Sequence, residues 1–219
     1  YRFLDLSSSP RQLALGNPIT IRDADISTTL ANPATIRGEH GGQLMINYEP
    51  YFDGIHRGSA AYALAISRER ALVFDIKYIH YGTFDGADEL GNPTADFSGN
   101  EVALGLASSQ YFLRPNLHVG ARLRYVLSNL DTYTSSGITG DIGLYYNPIG
   151  KPFRLALVYQ HIGKQITAYE DVFEPLPTNL TIGLSSALEH LPLRWHMSLH
   201  HLNKWPLLFE NPEDGTTDL

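Results

Sequence analysis

The sequence has no cysteine, so disulfides and thiolate metal sites play no part in it. No stretch approaches the roughly 20 consecutive apolar residues that a membrane-spanning helix needs. Charged residues are sparse at 18%, and 16 Lys and Arg against 23 Asp and Glu leave a net charge of −7 with no basic cluster. A nucleic-acid partner is therefore not expected, because affinity for phosphate backbones requires a concentrated cationic surface. The sequence also lacks a Gly-x-Ser-x-Gly elbow, a phosphate-binding loop and a His-Glu-x-x-His motif, so no catalytic residue and no cofactor is assigned from motifs. No charged-then-apolar leader stands at Tyr1, which reads as the start of a mature form.

The missing apolar helix does not exclude a membrane. Closed barrels cross bilayers with strands of about 10 alternating residues, a far weaker signal. Period-two patterning predicts nine strands, near 43–52, 57–66, 71–82, 99–110, 116–129, 137–147, 153–163, 178–189 and 193–202. The second, fourth, sixth and eighth connections are tight, at Ser67 to Arg70, Tyr111 to Pro115, Pro148 to Pro152 and His190 to Pro192. The third, Thr83 to Ser98, and the seventh, Lys164 to Pro177, are long, and a ninth opens near Asn203. Short turns on one side and long loops on the other match an outer-membrane barrel. The first connection, at Asp53 to His56, is short on the long side, and the fifth, Leu130 to Ser136, is intermediate.

The strand faces carry more. Leu117, Val119, Ala121, Leu123, Tyr125 and Leu127 share one face, opposite His118, Gly120, Arg122 and Arg124. Similar alternation places Asp75, Lys77, Arg122, Arg124, Asp141, Arg154 and Arg194 on polar faces near strand middles. In a bilayer these charges must turn to the lumen and pair across strands, since Arg or Lys facing lipid costs about 2–4 kcal/mol at the midplane. In a soluble β protein the same faces would be solvated. Aromatic residues, including many of the 13 Tyr, gather near strand ends, as an interface girdle requires.

Residues 1–42 break the rhythm and form a separate amino-terminal segment ahead of the barrel region 43–219. Ser7-Ser8-Ser9-Pro10 supplies helix-start chemistry, and Ile26 to Leu30 can make one helical turn before Asn32-Pro33-Ala34. Phe3, Leu4, Leu6, Leu13 and Leu15 need cover, which predicts a lumenal plug. On the long side, Asp85, Asp88, Glu89 and Asp96 lack the order of a calcium loop and read as a solvated acidic loop. Tyr169, Glu170, Asp171, Phe173 and Glu174 mix aromatics with acids, a composition that suits either a partner surface or a structured loop. With Trp205, these two loops give the candidate docking residues. His196 and His200 share a strand face about 13 Å apart, too far to hold one zinc ion without bending.

Several blocks are familiar in order along the chain. Tyr1-x-Phe3-Leu4-x-Leu6, Ala14-Leu15-Gly16, Asp23-x-Asp25 and Asn32-Pro33-Ala34 open it. Tyr78-Ile79-His80-Tyr81-Gly82-Thr83-Phe84, Asp88-Glu89-Leu90-Gly91-Asn92, Phe97 to Glu101 and Tyr133 to Gly137 follow, and His190 to Arg194 and His200 to Trp205 close it. The sequence thereby resembles the PorQ-like outer-membrane barrels of the Bacteroidota type IX secretion system, relatives of PorV and the FadL-type barrels. It departs from them at Gly16-Asn17, where two glycines are more usual. The resemblance implies an all-β, FadL-like transmembrane antiparallel barrel with an amino-terminal plug. It implies a non-enzymatic anchor that holds a PorZ-like surface protein near the PorU sortase and PorV, in contact with outer-membrane lipid and lipopolysaccharide. Such barrels have an even strand number. Nine strands therefore predict that the last strands of the barrel are missing beyond Asn211 to Leu219. The alternatives are a FadL-like transporter of hydrophobic small molecules and a soluble periplasmic β protein.

Overall fold

The structure is a computed structural model that describes residues 1–88, 90–169, 173–188 and 190–204, with the backbone of 209–210 and 217–218. Nine strands form one antiparallel meander in which each pairs with the next: β1 Leu44–Pro50, β2 His56–Ala65, β3 Ala71–Phe84, β4 Phe97–Phe112, β5 Arg114–Leu130, β6 Tyr133–Tyr146, β7 Phe153–Thr167, β8 Asn179–Ala187 and β9 Arg194–Leu199. The chain is thus all-β. Two short strands, β10 Phe209–Glu210 and β11 Thr217–Asp218, pair separately.

Two turns are tighter than the sequence suggests. The fifth connection shrinks to residues 131–132 because Asp131 accepts a φ of 55°, the left-handed conformation that Asp tolerates and a two-residue hairpin needs. Leu113, at φ 60°, alone separates β4 from β5 where a five-residue corner was expected. On the side of the fifth connection, the third and seventh connections are long.

Burial runs inside out. Along β5, Leu123 is 61% exposed whereas Arg122 is 3% exposed, and on β6 Ile142 is 54% exposed beside Asp141 at 1%. The same alternation repeats along β3, β4 and β8. Large apolar side chains face outward; small, polar and charged ones face the amino-terminal segment.

That segment contains α1 Pro10–Ala14, α2 Thr28–Ala31 and three single 3-10 turns. Pro10 follows Ser9 at the first helical position, and the Asn32 side chain accepts the Ala34 N–H to start the turn at Pro33. The segment touches both edges of the sheet. Asn47 of β1 donates to the Ser8 carbonyl at 2.8 Å, and the His196 ring of β9 lies 2.6 Å from the Leu15 carbonyl. The step from Ser8 to Leu15, mostly helical, reaches under about 20 Å, whereas eight strand spacings of a flat sheet cover about 38 Å. The sheet is therefore strongly curled around the segment. Its edges β1 and β9 are not paired to each other among the described residues.

All three apolar clusters join segment to sheet. Ile26, Leu30 and Ile36 pack on Ala61, Ala63, Val73 and Ala107; Phe3 and Leu4 on Ile79, Ala103 and Val126; Ile19 and Ala34 on Tyr145, Ala156 and Val158. Leu6, Leu13 and Leu15, expected to be covered, remain exposed because their carbonyl-rich stretch leans on the sheet through polar contacts instead.

Close approach depends on two glycines. A Cβ on Gly120 would lie 2.3 Å from the Ala34 nitrogen, and one on Gly143 would lie 2.2 Å from Asn32 Oδ1. Gly120→Val should therefore unseat the Asn32 to Ile36 stretch at a cost of about 1–3 kcal/mol. Limited trypsin digestion of the folded protein should then cleave at Arg22 and Arg37, which the parent protects, while far-ultraviolet circular dichroism keeps its strand signal.

Candidate functional site

The inner face is organised around Arg122 and Arg124, two residues apart on β5 and so on the same side of the sheet. Asp75 of β3 and Asp141 of β6 flank them, because β5 lies one strand from β6 and two from β3. Arg124 Nε donates to Asp75 Oδ1 at 3.0 Å and its Nη1 to Asp141 Oδ2 at 2.8 Å. Arg122 Nη1 reaches Asp141 Oδ2 at 3.4 Å, and its Nε sits 3.0 Å from Asp75 Oδ2 in ion-pair contact without hydrogen-bond alignment. Gly105 leaves room for the Asp75 carboxylate, which a Cβ there would strike at 2.5 Å. Two cations and two anions cancel within this buried lattice, and Lys77 beside it is a third cation, met by backbone carbonyls instead of a carboxylate.

The lattice also holds the segment. Arg122 donates to the carbonyls of Thr29 at 2.6 Å and Leu30 at 3.1 Å, and Lys77 to those of Leu4 at 2.7 Å and Leu6 at 2.6 Å. These carbonyls are groups that short helical turns leave unpartnered. A buried cation meeting carbonyl dipoles gains bonds stronger than neutral ones.

Beside the lattice lies a polar cavity of about 440 Å³, lined by Lys77, Arg124, Gln12, His161, Asn179 and His200 among others. His161 owes its place to a bulge in β7, where the register against β6 shifts between Gly140 and Ile142. At φ 58° it turns its backbone N–H to Asp141 Oδ1 at 3.0 Å, while its ring lies 3.4 Å from Asp5 Oδ1. Bulges of this kind re-aim side chains at functional positions. The Gln12 amide is buried with neither end hydrogen-bonded among the described residues.

Of the seven charges read from the strand pattern, Asp75, Lys77, Arg122, Arg124 and Asp141 meet in this centre. Arg154 is half-buried and Arg194 exposed, both at the short-turn ends of their strands and away from the lattice. On the long side, the exposed Asp88 carboxylate accepts N–H bonds from Leu90 and Asn92 and an Asn92 side-chain bond, closing its own turn. Asp85 and Phe173 are exposed, and Tyr169 turns inward to donate its hydroxyl to Ser128. Glu89, Glu170, Asp171 and Trp205 lie outside the described residues. Among the described residues no three His, Asp or Glu side chains converge as metal ligands. His196 and His200 instead meet the Leu15 carbonyl and Thr181 Oγ1.

Sequence reasoning placed His118 on the polar face of its strand without a role, and did not find Gln12, His161 or Arg22. The one available signal was a polar residue within an otherwise small or apolar face, and at His161 the bulge shifts even that parity. No family model matches the sequence, and no curated protein matches it.

Arg124→Met leaves two buried carboxylates sharing a single arginine, and should cost about 3–5 kcal/mol. The compensated pair Arg124→Met with Asp141→Leu should recover part of that loss, because an ion and its counterion leave together. Urea unfolding in detergent micelles, followed by tryptophan fluorescence, measures both.

Proposed function

We propose that this chain is the plugged wall of a PorQ-like outer-membrane β-barrel, acting as a membrane anchor and not as an enzyme. The observation that supports this most strongly is the inverted sheet. Its outer face presents Leu123, Ile142, Leu104, Leu106, Phe74 and Ile76 as one exposed apolar surface, while the charges lie inside. A monomer in water rarely exposes a contiguous apolar patch beyond a few hundred Å². Strands of 14 to 17 residues in β3 to β7 exceed the 9–11 or so needed to cross the hydrocarbon. Exposed aromatics stand near both ends, with Phe84, Phe97 and Tyr133 on one side and Tyr111, Phe112 and Trp195 on the other. In a bilayer the edges of β1 and β9 require partners, since unpaired backbone groups in hydrocarbon cost several kcal/mol each.

The segment of residues 1–42 serves as the plug in this reading. Its docking to every part of the curled sheet argues against free diffusion through the lumen. The cavity, lined by Lys77, Arg124 and Gln12 as well as by Leu4, Leu6 and Leu30, is not the continuous apolar route that a FadL-like transporter of hydrophobic solutes calls for. The anchoring role rests on the ordered sequence blocks from Tyr1 to Trp205. They support a barrel that holds a PorZ-like surface protein near PorV and the PorU sortase, where cargo is joined to anionic lipopolysaccharide. The long connections after β3 and β7 are then the docking side, and the attachment chemistry belongs to the sortase.

Two measurements test the reading at its two levels. Ile142→Arg should lower stability by about 2–4 kcal/mol in lipid vesicles, against almost nothing for a water-facing site. Affinity capture from detergent-solubilised outer membranes should recover PorZ-like and PorV-like proteins; recovery of neither sinks the anchoring role and leaves the membrane assignment to the first measurement.

A further inference from the structure

The inner face has a second charged region, at the short-turn end, where the cationic excess is larger than at the centre. Tyr145 pairs with His118 of β5 and Ala156 of β7, Arg154 stands two residues from Ala156 and pairs with Ser185 of β8, Arg194 opens β9 opposite Ala187, and Arg37 precedes Gly38, which lies against the backbone of the Ser67–Arg68 turn. Arg22 stands 5.2 Å above the Tyr145 ring, and its nearest polar partner is the His118 ring, 2.7 Å from Nη1, which carries no negative charge to offset it. Glu39 pairs with Arg37 and is the single carboxylate in ion-pair contact with any of the four among the described residues. Asp23 and Asp25 are taken by Arg11, at 2.6 and 2.8 Å. Burial and repulsion from Arg37 push the Arg22 pKa down to about 10. Arg22 Nε, Arg37 Nε, Arg154 Nη1 and the hydroxyl of Ser185, which pairs with Arg154 across β7 and β8, are buried without a hydrogen-bond partner among the described residues.

Arg22 and Arg154 are half-buried guanidiniums with no carboxylate in ion-pair contact among the described residues, an arrangement that folding alone penalises. Each unpartnered N–H forfeits the bond it had with water. Planar guanidinium forks match tetrahedral oxyanions in two-point contacts, and several together favour a multiply charged one. We propose that this end of the inner face binds a phosphate group, supplied by free phosphate or pyrophosphate or by a lipid headgroup. Arg22, Arg154 and Ser185 supply the donors, and the exposed Arg194 adds charge from the β9 edge. The site stands apart from the long connections and goes beyond the anchoring role.

Isothermal titration of the full chain in zwitterionic detergent with inorganic pyrophosphate, and separately with inorganic phosphate, tests the proposal. The parent should show saturable one-site binding that weakens with added salt. Arg154→Gln should weaken it at least about tenfold, the change expected when one charge-assisted bond is lost. Arg194→Gln, at an exposed position that does not threaten folding, should weaken it in the same direction. Glu39→Gln frees Arg37 and should tighten it, an effect that structural damage would not produce. Repeating the pyrophosphate titration in phosphatidylglycerol and in phosphatidylcholine nanodiscs separates the sources. Weaker binding in the former assigns the site to a lipid phosphate, and equal binding assigns it to a free one. Absence of saturable binding for both anions, or affinities unchanged by all three substitutions, overturns the proposal.

Discussion

Burying Arg122 and Arg124 is the constraint on which the rest of this structure depends. Ionised side chains inside a protein are tolerated only when fully compensated, and here the compensation comes from three separate places: β3, β6 and the amino-terminal segment. This fixes strand parity, because a slip of one residue in β5 would turn both arginines outward and every neighbouring leucine inward. It also fixes strand order, since Asp75 reaches the arginines only when β4 alone stands between β3 and β5.

The same lattice explains why the segment and the sheet form one unit. A sheet whose inner face carries Gly120, Gly143, Ala61, Ala63, Ala103 and Ala107 cannot fill its own interior. The segment supplies the missing volume with Phe3, Leu4, Ile19, Ile26 and Ile36, and the missing acceptors with its carbonyls. Small residues on the strands and large ones on the segment are two halves of one packing solution. Neither half buries much apolar surface alone.

Strand existence was legible in the sequence because burial on one face leaves a period of two, which needs no knowledge of the partner strand. The five central charges were legible for the same reason. Turn lengths were not: whether Asp131 or Leu113 adopts positive φ depends on the twist of strands already paired, so the fifth and fourth connections closed tighter than their composition suggested. The route of residues 1–42 was legible only as a need for cover. It was half correct, since Phe3 and Leu4 are buried whereas Leu13 and Leu15 are not. The bulge at His161 lies beyond any periodic reading, because it replaces the period at the point where it acts.

The inner face thus divides by charge balance along the strand direction. At the centre, Arg122, Arg124, Asp75 and Asp141 cancel, and the one further cation, Lys77, is met by two carbonyls of the segment. Toward the short turns, Arg22, Arg37, Arg154 and Arg194 meet one carboxylate among the described residues, and several of their N–H groups have no partner there. Folding selects for cancellation, since each uncompensated buried charge subtracts from a small net stability. A chain that meets its central cations with carboxylates and carbonyls but leaves N–H groups of Arg22 and Arg154 unmatched about 10–15 Å further along, a distance of three to five strand residues, gains nothing in folding from the difference. The imbalance is consistent with a requirement from outside the chain, an anion that completes at this end what Asp75 and Asp141 complete at the centre.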